Sequence, residues 1–225
     1  MSVQRKIVAL LGSTRINSSS KSMIEYLEEK FYSHQIEVVI YQAHKIHKNK
    51  KMFKSMLEQI IDSELFIICA PVYIDGISFS LTSVLEQIYD TEDRKHLGRK
   101  KCMAIIHSGF PETQHREAGI EICHCFSETM EFDWQGGFGF GISSIVEGKS
   151  LNENRKMTKW IRKTLDITAE AIIKGEKIPS TAFDLSMKLP IPIPIKWLPY
   201  ILNFVMRRKA KADGVTDIYA RPYVN

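Results

Sequence analysis

The sequence predicts an α/β fold. The expected architecture is a doubly wound, five-stranded parallel sheet in the order 2-1-3-4-5, with an extension at the C-terminus. Two observations predict it. Runs such as 7–11 (IVALL), 65–70 (LFIICA) and 101–107 (KCMAIIH) are apolar at almost every position, as strands buried on both faces must be. Between such runs lie stretches whose apolar residues recur every three or four positions, so strands alternate with helices and right-handed crossovers follow.

Taken in order, residues 7–11 give the first strand, and Gly12 allows a sharp turn. Residues 20–33 place Met23, Ile24, Leu27 and Phe31 on one helical face. The β-branched run 36–41 (IEVVIY) is the second strand. The basic segment 42–51 reads as an exposed connection, and Met52, Phe53, Met56, Leu57, Ile60 and Ile61 mark the second helix. The third strand, 65–70, runs into Pro71-Val72-Tyr73-Ile74-Asp75-Gly76; Leu81, Val84, Leu85 and Ile88 carry the next helix. The fourth strand, 101–107, ends in Ser108-Gly109-Phe110-Pro111-Glu112-Thr113. A helix over 114–130 carries a stripe of Ala118, Ile122, Cys125 and Phe126, and 132–140 is a fifth strand interrupted by Gly136 and Gly137. A long helix then spans 152–174 and stops at Gly175. The domain is expected over 1–177 and a proline-rich, apolar and basic extension over 178–225.

Composition narrows the function. An apolar content of 44% supports a real core, and a net charge of +5 is mild. The basic patches at 44–54 and 207–211 lack interleaved aromatics or a recognisable module, so no nucleic-acid partner is expected. The cysteines, Cys69, Cys102, Cys123 and Cys125, form no disulfide framework, and a reducing cytoplasm fits them. Cys123-His124-Cys125 has no second pair at a metal-binding spacing, so no metal site is expected. The N-terminal apolar run is short and already used as a strand, unlike a signal peptide.

Three loops converge on the carboxyl edge of the predicted sheet, where open α/β sheets bind ligands. The first holds Ser13, Thr14, Arg15, Asn17, Ser18, Ser19 and Ser20 immediately before and at a helix start, where free amides and the helix dipole favour a phosphate. Arg15 adds a guanidinium that pairs with phosphate in bidentate fashion. The loop is neither G-x-x-x-x-G-K-[ST] nor G-x-G-x-x-G. The second loop offers Tyr73, an aromatic for a planar ring, and the amides around Gly76; the third offers Gly109 and Phe110. A planar ring with a phosphate tail suits the three together. No side-chain acid, base or nucleophile stands out as catalytic.

Through GSTRINSSS at 12–20, DSELFIICAPVYIDGISFSLTSVLEQI at 62–88 and HSGFPE at 107–112, the chain resembles the flavodoxin-like NAD(P)H-dependent oxidoreductases. That group contains the NADPH-dependent FMN reductases and WrbA-like flavoproteins, and the resemblance covers about residues 5–175. It implies a flavodoxin-like fold with bound FMN and NADPH or NADH as electron donor. By the same resemblance Ser13, Arg15, Asn17, Ser18, Ser19 and Ser20 hold the FMN phosphate. Pro71, Val72, Tyr73, Ile74, Asp75 and Gly76 lie along the isoalloxazine, and Ser108, Gly109 and Phe110 form the third contact. The implied activity passes electrons from NAD(P)H through FMN to a small acceptor such as a quinone or free flavin. Two alternatives differ in kind: a non-catalytic electron carrier, or a partner-binding module that has kept the fold. A carrier is expected to be acidic, and this chain is basic.

The extension has four prolines between 190 and 199, which rule out a regular helix there; 197–208 is expected to form a short amphipathic one. It is too short and broken to span a bilayer. Its apolar surface needs cover, either from protein in a homodimer or larger assembly, the favoured home, or from a membrane surface met by Arg207, Arg208, Lys209 and Lys211.

Overall fold

The computed structural model describes residues 5–74, 76–188 and 195–220. Five parallel strands, β1 (Arg5–Leu11), β2 (Ile36–Gln42), β3 (Leu65–Pro71), β4 (Lys101–His107) and β5 (Asp133–Phe140), form one sheet in the order β2-β1-β3-β4-β5. The helices are α1 (Ser19–Tyr32), α2 (Ala43–Ile46), α3 (Lys50–Asp62), α4 (Phe79–Asp90), α5 (Gln114–Thr129), α6 (Lys159–Lys174), α7 (Ser180–Met187) and α8 (Leu198–Ala212). This is the expected doubly wound, flavodoxin-like fold.

Alternation along β1 divides the core in two. Ile7, Ala9 and Leu11 pack with Met23, Ile24, Leu27 and Phe31 of α1 and with Ile161 and Leu165 of α6. Val8 and Leu10 face the other side, with Met56, Leu57 and Ile60 of α3, Leu81 and Val84 of α4, and Cys123 of α5. Each such fully buried aliphatic side chain contributes about 1.5–3 kcal/mol relative to exposure. The two layers therefore clamp the sheet and leave its carboxyl edge to the loops.

Four local features differ from the sequence reading. The connection after β2 contains α2, and Asn49 caps α3 by accepting from Met52 N–H. Helix α6 starts at Lys159, because residues 151–158 are turns in which Thr158 Oγ1 donates to the carbonyls of Leu151 and Asn154. The buried stripe of α5 is Arg116, Gly119, Cys123 and Ser127, while Ile122 and Cys125 are exposed. Small residues at three- and four-residue spacing let α5 lie close to β4, and Gly119 faces Ile106. Finally, β5 runs through its glycines. The register jumps from Cys102↔Trp134 to Met103↔Gly136, a bulge for which Gly136 supplies a φ of +110°.

The chain divides into two units, Met1–Lys188 and Leu189–Asn225. Helix α7, which the sequence reading assigns to the extension, packs on β5 and α6 in the first unit, where Ser186 Oγ accepts the Gly139 N–H of the edge strand. The second unit contains a 3₁₀ turn, Ile195–Trp197, and α8.

Candidate functional site

The first loop leaves the end of β1. Gly12 donates to the carbonyl of Cys69 at 2.9 Å and has no left-handed φ. Its role is close approach: an added Cβ would lie 2.7 Å from Ala70 Cβ and 2.8 Å from Leu81 Cδ2. Thr14, Arg15, Ile16 and Asn17 are exposed, while Ser13, Ser18 and Ser20 are buried. Ser13 Oγ accepts from Arg15 N–H, and Ser18 Oγ caps α1 by accepting from Lys21 N–H. The first helical bond runs from Ser22 N–H to Ser18 O, so the first-turn amides of Ser19 and Ser20 precede the hydrogen-bonded ladder.

The second loop folds back on itself. Tyr73 N–H donates to Gly76 O at 2.8 Å, and Gly76 N–H returns to Tyr73 O at 3.2 Å. Ile74 at the tip is fully exposed with φ +50°, an unfavourable value for a β-branched residue. Asp75 lies outside the described residues. Ser78 Oγ donates to Gly12 O at 2.8 Å and accepts from Leu81 N–H, so one side chain both caps α4 and ties the second loop to the first.

The third loop is tied to the second by Val72 N–H, which donates to His107 O at 2.8 Å. Ser108 Oγ accepts from Phe110 N–H, and Phe110 is exposed. A Cβ added at Gly76 or Gly109 would meet nothing within 4 Å. Open space at both glycines, beside the exposed rings of Tyr73 and Phe110, suits the approach of a planar group.

Three residues that hold the site together were missed by the sequence reading. His107, buried at the end of β4, lies 2.8 Å from Ser20 Oγ through Nε2 and 2.9 Å from Ser143 Oγ through Nδ1. Ser143 Oγ donates to Ser108 O at 3.0 Å. That bond uses the Ser143 proton, so Nδ1 of His107 donates to Ser143 and Nε2 accepts from Ser20. Burial lowers the His107 pKa from 6.5 to about 4, which keeps the ring neutral and this order intact. Ser143 also accepts from Ser19 Oγ through its carbonyl, so the 3₁₀ turn Ser143–Val146 is bound to the start of α1. The third residue, Arg116, is buried and donates through Nη1 to the carbonyls of Phe110, Pro111 and Glu112 at 2.7–3.3 Å. Burial pulls its pKa down, yet a guanidinium stays charged there. The available signals were the carboxyl-edge position of Gly141-Ile142-Ser143 after β5 and the small-residue spacing of α5.

None of the buried cysteines offers an activated nucleophile. Burial raises the Cys69 and Cys102 thiols far above their ordinary range and Cys123 to about 12.

A doubly wound sheet with three linked carboxyl-edge loops and a polar helix start defines the class: a flavodoxin-like protein. The family model for NADPH-dependent FMN reductases matches residues 5–118, and the chain belongs to that family. The family comprises FMN-binding oxidoreductases that pass electrons from NAD(P)H through FMN to small acceptors such as quinones or flavins. Among solved structures, an oxidoreductase from Corynebacterium diphtheriae superposes with a TM-score of 0.58 at 11% identity, over 77% of this chain and 97% of that one. RosB, solved with 8-demethyl-8-formylriboflavin 5′-phosphate, gives 0.54 at 11% identity over 98% and 91%. General stress protein 14 of Treponema denticola, in complex with FMN, gives 0.52 at 12% over 76% and 98%. These likenesses establish the fold. No curated protein matches the chain.

Proposed function

We propose that the three linked loops are the FMN site of this reductase. In this reading the amide of the N-cap Ser18 and the first-turn amides of Ser19 and Ser20, with Ser13, Arg15 and Asn17, hold the phosphate. Pro71, Val72, Tyr73, Ile74 and Gly76 lie along the ring, and Ser108, Gly109 and Phe110 complete the contact. The single observation that carries the reading is the hydrogen-bonded union of the loops, through Ser78 to Gly12, Val72 to His107 and His107 to Ser20 and Ser143. The donor set suits a phosphate: the first loop carries several amides and one guanidinium and no described carboxylate. Because the Ser18 and Ser20 hydroxyls are already engaged, their amides are the groups assigned to phosphate.

When bound, FMN would supply the hydride- and electron-transfer chemistry between the reduced nicotinamide and a second substrate. The chain's own part is positional. The loops orient the ring, Arg116 stiffens the carbonyl side of the third loop, and His107 holds the first and third loops together. The acceptor is proposed to be a small quinone or free flavin. Ile16 (75% exposed) and Phe79 (77% exposed), with Ile74 and Phe110, leave an apolar rim beside the site, which a second copy of the chain is proposed to cover in a homo-oligomer. The four free cysteines support a cytoplasmic setting.

The test is an FMN titration. Arg15→Ala is expected to lose about 1.5–3 kcal/mol of FMN affinity, the scale of a charge-assisted hydrogen bond. Unchanged affinity would sink the phosphate assignment.

A further inference from the structure

The second unit carries a surface of unusual chemistry. The apolar residues Trp197, Tyr200, Ile201, Leu202, Phe204, Val205 and Met206 occupy the 3₁₀ turn and the first half of α8. Arg207, Arg208, Lys209 and Lys211 occupy its last turns. Lys196, Pro199, Asn203 and Arg207 follow one another at spacings of three, four and four, so they share one face. That polar stripe is narrow, and over residues 197–206 the apolar residues take up roughly two thirds of the circumference, while in the last turns Arg208 and Lys209 project from the same side. The apolar residues are exposed on both flanks of the stripe: Tyr200 is 74% exposed, Phe204 61% and Met206 63%.

A helix packing on protein needs an apolar stripe on one side and polar residues on the other. Here the proportions are inverted, and one protein surface would cover one flank and leave the other in water. A bilayer surface covers the whole arc at once. Among the described residues no helix is long and apolar enough to cross a membrane, which leaves an interfacial position. The charge pattern selects the lipid. Five cations from Lys196 to Lys211 outnumber the two carboxylates Asp213 and Asp217, and four of the five cluster at one end.

We propose that α8 lies in the surface of an anionic membrane leaflet. The stripe of Lys196 and Asn203 faces water, the apolar arc of residues 197–206 enters the acyl boundary, and the long side chains of Arg207, Arg208, Lys209 and Lys211 extend from the C-terminal end to head-group phosphates. Lys196 therefore does not interrupt the apolar surface. Arg208 lies over the Phe204 ring at 5.9 Å, at the junction of the apolar and basic parts. Arg207 donates to Tyr219 Oη at 2.7 Å, a neutral partner that leaves its charge intact.

The experiment uses the full-length protein and vesicles of phosphatidylcholine alone or mixed with phosphatidylglycerol. Wild type is expected to float with the mixed vesicles and hardly with phosphatidylcholine. Its tryptophan fluorescence is expected to be quenched by acyl-brominated lipid, and Trp197→Phe to lose that quenching. Arg207→Ala/Arg208→Ala is expected to weaken binding about twentyfold, and more salt to weaken it further. Phe204→Glu is expected to abolish it. An unchanged far-ultraviolet spectrum and melting temperature in each variant show that the chain still folds. The proposal is overturned if wild type stays below the mixed vesicles, or if binding is the same in both variants. It is also overturned if light scattering finds a dimer that Phe204→Glu dissociates and that does not float.

Discussion

His107 links three segments that are far apart in sequence, and its neutrality is what makes the link possible. As a cation it has no acceptor to offer Ser20. The sign of the pH effect follows from its lowered pKa. The unfolded chain takes up a proton near pH 6.5 while the folded chain resists until about 4, so this contribution is full above the unfolded value and is lost as pH falls through that window. From about pH 7 to about pH 5 the loss comes to about 2 kcal/mol. Urea unfolding of wild type and His107→Gln at the two pH values checks it: the variant is expected to lack that part of the acid sensitivity, and equal slopes would contradict the assignment. Tyr73 makes a different demand. Its ring is exposed, so Tyr73→Ala is expected to leave the melting temperature within about 2 °C, the scale of a few tenths of a kcal/mol, while weakening FMN binding or shifting the flavin potential. Loss of folding with unaltered FMN affinity would make Tyr73 a structural residue.

At the scale of elements, the strands and their order were legible because buried parallel strands are apolar on both faces and the helices between them are not. The three loops were legible as loops for the same reason. What held them together was not. His107 reads as the last residue of an apolar strand, and Ser143 as one hydroxyl in an ordinary turn; their contact at 2.9 Å is a product of the crossover connections. Arg116 was hidden because an arginine marks a solvated face by default, whereas here it is buried and three backbone carbonyls accept from its Nη1. The Gly12 turn was correctly singled out for the wrong physical reason. Its constraint is contact with Ala70 and Leu81, so Gly12→Ala is expected to cost about 1–3 kcal/mol by overpacking. Ala70→Gly, which vacates one of the two contacts, is expected to restore part of that loss in a double-mutant cycle. Strict additivity of the two changes would place the constraint elsewhere.

At the scale of the whole molecule, the first unit provides a rigid frame whose carboxyl edge is built from polar, hydrogen-bonded loops, and the second unit provides an apolar and basic helix. Charge separates the reductase from its nearest rival in mechanism: a net +5 suits a protein that turns over small anionic nucleotides better than a carrier that docks on basic partners. Membership of the FMN reductase family and the geometry of the loops make one direct demand. The FMN-loaded protein should be reduced by NADPH on the protein itself. Rapid mixing of the loaded chain with NADPH, followed at the visible flavin band, is the decisive measurement. The expected result is bleaching whose rate saturates with NADPH and exceeds that of free FMN by several orders of magnitude, with recovery of the band when a quinone is added. Tight FMN binding without bleaching by NADPH or by NADH, or no FMN binding at all, would contradict the account.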